Sequence, residues 1–122
     1  MHKALEQYIQ AANTWDFSKV KNCLHENAIF HFTDKTCIGM EEIGAYFEHG
    51  WAIVKNERYW PTDIIYLYED ANTMLCTYQF NYSGHTESGA LVEGFGRATN
   101  MFAKNSVTNK WELVHEHLSR TP

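Results

Sequence analysis

The chain of 122 residues reads as an α+β domain: two helices, a strand, a third helix, then four strands forming a curved, largely antiparallel sheet. Two observations carry this. Apolar residues recur at three- and four-residue spacing in the segments before residue 55, as helices with one buried stripe require. Beyond residue 57 the rhythm changes to four long runs of β-branched and aromatic residues separated by polar turns. A sheet that follows helices must curl around them to bury their apolar stripes, and such a cone leaves a pocket.

Leu5, Tyr8, Ile9, Ala12 and Trp15 define an amphipathic helix over residues 2–15. Asp16 is placed to cap a short second helix carrying Phe17, Val20, Cys23 and Leu24, which ends near His25–Asn27 where polar residues interrupt the stripe. Ala28–Phe32 is a short apolar run suited to a strand, with a polar turn at Thr33–Thr36. Met40, Ile43, Tyr46, Phe47, Gly50, Trp51 and Val54 mark a third helix over residues 40–54. The four closing strands are Arg58–Tyr68, Thr73–Tyr82, Val92–Phe102 and Trp111–Leu118. Pro61 removes a ladder donor from the first of these, which puts it at a sheet edge, a bulge or the strand start.

The totals fit one domain over residues 1–122. Aromatic residues at 15% are generous and point to a lined cavity or wide contact surfaces. A net charge of -5 disfavours attraction to phosphate backbones or anionic membranes, so neither nucleic acid nor membrane is an expected partner. The first residues, MHKALEQYIQ, have no apolar core of signal-peptide length, so a cytoplasmic location is expected. Cys23, Cys37 and Cys76 are odd in number and lack a CxxC spacing, which reads as buried free thiols with neither a disulfide framework nor a zinc site.

Gly94–Ser119 carries most of the chemistry. It reads as two strands joined through Asn105-Ser106 and Thr108-Asn109, and pairing across that turn is expected to bring Arg97 near Glu116 or a neighbour of it. A buried guanidinium requires a partner, so Arg97 either grips a carboxylate or polar ligand in the pocket or forms an ion pair with Glu116 or Glu93. His115 and His117, two apart on a strand, share a face at roughly 6–7 Å. A metal needs a third ligand, for which only His31 and His85 come near, so no metal and no cofactor are expected. His31 is the one titratable group on the first strand. Trp51, Trp60, Tyr66, Tyr78 and Phe80 are aromatics for a cavity, a core or a subunit contact. Met74, Cys76, Tyr78, Phe80 and Tyr82 alternate with Leu75, Thr77, Gln79 and Asn81, and one face of that strand is expected to meet another subunit.

The order and length of the elements resemble the nuclear-transport-factor-2-like superfamily, the cystatin-like cone. Gly96-Arg-Ala-Thr99 and Lys110-Trp-Glu-Leu-Val-His-Glu-His-Leu-Ser119 are similar to the SnoaL-like branch and to the association domain of calcium/calmodulin-dependent protein kinase II. Tyr46-Phe-Glu-x-x-Trp51 resembles the same association domain, in which the matching tryptophan lines the pocket. Gln79, Thr99 and Leu118 stand where that domain has pocket arginines. Ala28-Ile-Phe-His-Phe32 lacks the aspartate that ends the first strand of ketosteroid isomerase, and no Asp-Arg-Asp set of the limonene-epoxide-hydrolase kind can be assembled.

The resemblance implies a homodimer and a pocket. The expected function is binding of an apolar or weakly acidic small molecule by Arg97, Trp51, His31, Tyr78 and Glu116. Two alternatives stand beside it: a dehydratase-, cyclase- or isomerase-like enzyme using His31 or a pocket tyrosine, and a homo-oligomeric assembly module.

Overall fold

Helix α1, Lys3–Ala12, opens the computed structural model, which describes residues 1–121. His2 caps it by accepting from the Ala4 N–H at 3.0 Å, and Ala4, Leu5, Tyr8 and Ile9 form its buried stripe. Asn13 stops it and ties its end to the sheet: its amide donates to the Tyr59 carbonyl at 2.8 Å and its carbonyl accepts from the Tyr59 N–H at 2.8 Å. Helix α2 spans Phe17–Lys21, with Asp16 capping Ser18.

The second helix ends earlier than its stripe implies. Leu24 already belongs to strand β1, Leu24–His31, where it pairs in parallel with Leu113 of the last strand. The Leu113 N–H donates to the Cys23 carbonyl at 2.7 Å, so long-range pairing overrides local helical periodicity there. The expected polar turn ends sooner as well, because Thr36–Ile38 forms a short strand β2 antiparallel to β1. Helix α3 covers Met40–Ile53, entered through Gly39 at φ +84°, a conformation that suits glycine.

Strands β3, Lys55–Glu69, β4, Thr73–His85, β5, Leu91–Lys104, and β6, Trp111–Arg120, complete one six-stranded sheet in the order β2-β1-β6-β5-β4-β3. All neighbours are antiparallel except β1 and β6. Pro61 lies in β3, an edge strand, where a missing ladder donor is tolerated. No helix among the described residues is long and apolar enough to cross a membrane.

One face of the curved sheet holds the helices. Met74, Cys76, Tyr78 and Phe80 of β4 and Ala98, Asn100 and Phe102 of β5 point into that core. The apolar face of β4 is thus interior, packed against this chain's own helices, while Leu75, Thr77, Gln79 and Asn81 turn outward. Gly96 belongs to the inner row, where a Cβ would press against the Ser119 carbonyl and the Phe80 ring.

Strand β6 changes face partway. Phe102 pairs with Leu113 but Met101 pairs with His115, so Val114 is an extra residue, a β-bulge. Before it Leu113 points inward; after it Glu116 does, and His115 and His117 face out. Without the bulge the two-residue alternation would have carried the histidines inside with Leu113.

Candidate functional site

Between α1, α3 and the inner face of β3–β6 lies a cavity of about 610 Å³. Its walls are aromatic. Phe47 and Trp51 of α3 stand 5.3 Å apart, Phe32 stacks on Tyr46 at 3.7 Å, and Tyr59, Phe80 and Tyr82 line the sheet side. The Tyr46 hydroxyl donates to Asp34 at 2.6 Å, and burial together with that carboxylate raises its pKa.

Glu116 is the acidic group at the base of these walls, only 1% exposed. Asn100, its partner across the β5–β6 pair, donates from Nδ2 to Oε1 at 3.0 Å, and the Tyr8 hydroxyl from α1 hydrogen-bonds the carboxyl as well. Burial pushes the Glu116 pKa up to about 7, against the opposing pull of the Asn100 and Tyr8 hydrogen bonds. The network continues behind the carboxyl. The Tyr78 hydroxyl donates to Asn100 Oδ1 at 2.8 Å, and the Tyr59 hydroxyl lies 3.3 Å from that of Tyr78. Burial, and then the nearby Glu116 charge, push the Cys76 thiol up to about 12, so it stays protonated. Glu57 also lines the cavity, its pKa raised by burial, and Arg120 lines it at the end of β6.

The structure separates the residues that the sequence grouped. Trp51 and Glu116 line the cavity. Tyr78 is buried on the same face and reaches Glu116 only through Asn100. Arg97 does not meet Glu116: it is exposed on the outer face, in register with Ser119 and Gln79, because Glu116 pairs with Asn100, three residues further along β5. His31 also sits on the outer face, its ring 5.2 Å from both His115 and His117, with Nδ1 3.0 Å from the Thr36 hydroxyl. His115 Nδ1 donates to the Ile29 carbonyl at 2.7 Å. Among the described residues no group of three or more His, Cys, Asp or Glu side chains is arranged to hold a metal ion.

Asn100, Tyr8, Tyr59, Glu57 and Arg120 escaped the sequence reading. Tyr8 carried only a helix-core signal. Asn100 lies within an expected strand, but its face follows from the register and the Val114 bulge.

Comparison with known proteins agrees with this architecture. The family model described as a SnoaL-like domain matches residues 1–122. No protein among those with curated descriptions matches the chain. Among solved structures, a nuclear transport factor 2-like superfamily protein from Salmonella enterica superposes with a TM-score of 0.82 at 16% identity, covering 98% of this chain and 87% of that one. A proposed dehydratase of the same superfamily from Streptomyces avermitilis gives 0.81 at 18% identity over 97% and 91% of the two chains. A proposed calcium/calmodulin-dependent protein kinase II association domain from Xanthomonas campestris gives 0.79 at 19% identity over 97% and 83%. At these identities the likeness is one of fold, the cystatin-like cone.

Proposed function

The chain belongs to the SnoaL-like domain family, and we propose that its cavity is the active site of an acid–base enzyme acting on an apolar, ring-containing small molecule, with Glu116 as the proton-transferring group. One observation carries this reading: a carboxyl 1% exposed, facing an aromatic cavity, with burial holding its pKa near 7. A group that titrates near neutrality is present in both forms and exchanges protons efficiently. His31, on the outer face, has no access to that cavity.

The likeness to a proposed dehydratase favours elimination of water as the reaction. In that step the Glu116 carboxylate takes a proton from the carbon beside a ring carbonyl. The C–H electron pair forms the double bond as the C–O bond breaks, and the acid so formed returns its proton to the departing oxygen, giving water.

The test is a panel of fused-ring β-hydroxyketones incubated in deuterated buffer and analysed by mass spectrometry. Loss of water or carbon-bound deuterium uptake with the wild type, at least tenfold faster than with Glu116→Gln, is the expected result. Equal rates for the two would leave simple ligand binding as the function. That second reading has its own support in the aromatic walls, which bury flat ligands whether or not chemistry follows.

Self-association belongs to the same proposal. Outward-facing Ile65, Leu67 and Phe95 are 58%, 58% and 59% exposed, an apolar surface that a second copy would cover. Light scattering behind a sizing column distinguishes a dimer from a monomer.

A further inference from the structure

With Glu116 ionised, the hydrogen atoms beneath the cavity have one consistent arrangement, fixed by a backbone carbonyl. Asn100 Nδ2 lies 3.1 Å from the Thr99 carbonyl, which can only accept, so the amide nitrogen is oriented there and its second hydrogen goes to Glu116 Oε1. Asn100 Oδ1 must then accept, and it takes the single proton of Tyr78. With that proton used, any hydrogen bond across the 3.3 Å between the Tyr59 and Tyr78 hydroxyls has Tyr59 as its donor. The proton of Tyr46 goes to Asp34, and the Glu116 carboxylate is the acceptor beside the Tyr8 hydroxyl. These groups keep lone pairs but have no O–H left to offer a ligand. Glu57 adds a carboxyl on the cavity wall. Arg120 is four residues beyond Glu116 on β6, roughly 13 Å along the strand, and belongs to the other end of the cavity.

We propose that this floor selects its ligand by a hydrogen-bond-donating hydroxyl on an apolar ring, and discriminates against carboxylates. The inference rests on the cavity being the ligand site and adds the class of molecule it takes. A carboxylate brought to the floor would meet lone pairs and a like charge, and its lost hydration would go unreplaced. A neutral hydroxyl gives its one proton to an acceptor already in place, without the desolvation penalty that an ammonium carries.

Three probes of one ring system test this: 2-naphthol, naphthalene and 2-naphthoate, titrated by calorimetry at pH 8 into wild type, Glu116→Gln and Arg120→Gln. Arg120→Gln removes the one cation among the cavity-lining residues, so that carboxylate binding at that end does not mask the floor. The expected result is 2-naphthol binding about fivefold more tightly than naphthalene and at least about tenfold more tightly than 2-naphthoate, in both wild type and Arg120→Gln. Glu116→Gln, which places an N–H donor on the floor, narrows the gap between 2-naphthol and 2-naphthoate. If 2-naphthoate binds Arg120→Gln as tightly as 2-naphthol does, the inference falls while the cavity remains a ligand site. If no probe binds any of the three proteins, both the inference and the proposed function fall.

Discussion

Asn100 Nδ2 and Glu116 Oε1 stand 3.0 Å apart beneath the cavity, and both side chains are buried, at 0% and 1% exposure. Register makes them partners across β5 and β6, and the bulge at Val114 aims the glutamate inward. A carboxyl in such a place costs the fold something whenever it is ionised, and the hydrogen bonds from Asn100 and Tyr8 offset only part of that cost.

The stability of the protein therefore depends on pH through Glu116. Its pKa is about 7 in the folded chain against 4.5 unfolded, so between those values the folded state holds a proton that the unfolded state has released. The stabilising contribution is complete below pH 4.5 and is lost as pH rises through 7. Relative to Glu116→Gln, the wild type should lose about 3 kcal/mol between pH 4.5 and pH 8, from roughly 2.5 pKa units at 1.36 kcal/mol each. Urea denaturation of both proteins at the two pH values checks it; a difference independent of pH would contradict the assignment.

Tyr78→Phe removes the donor to Asn100 Oδ1 and the acceptor for Tyr59 while keeping the ring. Leaving the buried amide oxygen unpaired is expected to lower unfolding free energy by about 1–3 kcal/mol. Chemical denaturation measures this. An unchanged midpoint would mean that the amide is satisfied without Tyr78.

Arg97→Ala should change little. The side chain is exposed on the outer face, away from the cavity wall, and substitutions of that kind stay within about 0.5 kcal/mol. Thermal unfolding with and without 2-naphthol is the measurement, and a lost ligand-induced shift would place Arg97 in the binding machinery after all.

Gly96→Ala should be costly despite adding one methyl. The new Cβ would press on the Ser119 carbonyl and the Phe80 ring at the junction of β4, β5 and β6, and overpacking of this kind costs about 1–3 kcal/mol. A thermal midpoint equal to that of the wild type would show that the strands can spread there without penalty.

Much of the fold was legible because its signals are local. Tyr8 and Leu5 on one helical stripe, Trp51 and Phe47 on another, and Asp16 as a cap all read directly from spacing. Cys23 and Leu24 misled because they continue a helical stripe while their backbone pairs with β6. Strand β2 is three residues long, too short to show a period. Trp51 and Glu116 line the cavity while Arg97 faces outward, and the sequence did not separate them because both faces of β5 mix apolar with polar side chains. Phe95, Arg97, Thr99 and Met101 lie on one face, Gly96, Ala98, Asn100 and Phe102 on the other. Pairing with β4 and β6 and packing on the helices, contacts made far along the chain, put the second row inside. The Val114 bulge is likewise a property of pairing, and without it the residues facing the cavity from β6 cannot be named.

Glu116 is a buried carboxyl at the base of the cavity, and burial brings its titration near neutral pH. Carbon-13 NMR of side-chain carboxyls tests it most directly, with the Glu116 signal assigned by its absence from Glu116→Gln. A titration midpoint near 7 is the expected result. A midpoint at the ordinary glutamate value, about 4.3, would contradict the account.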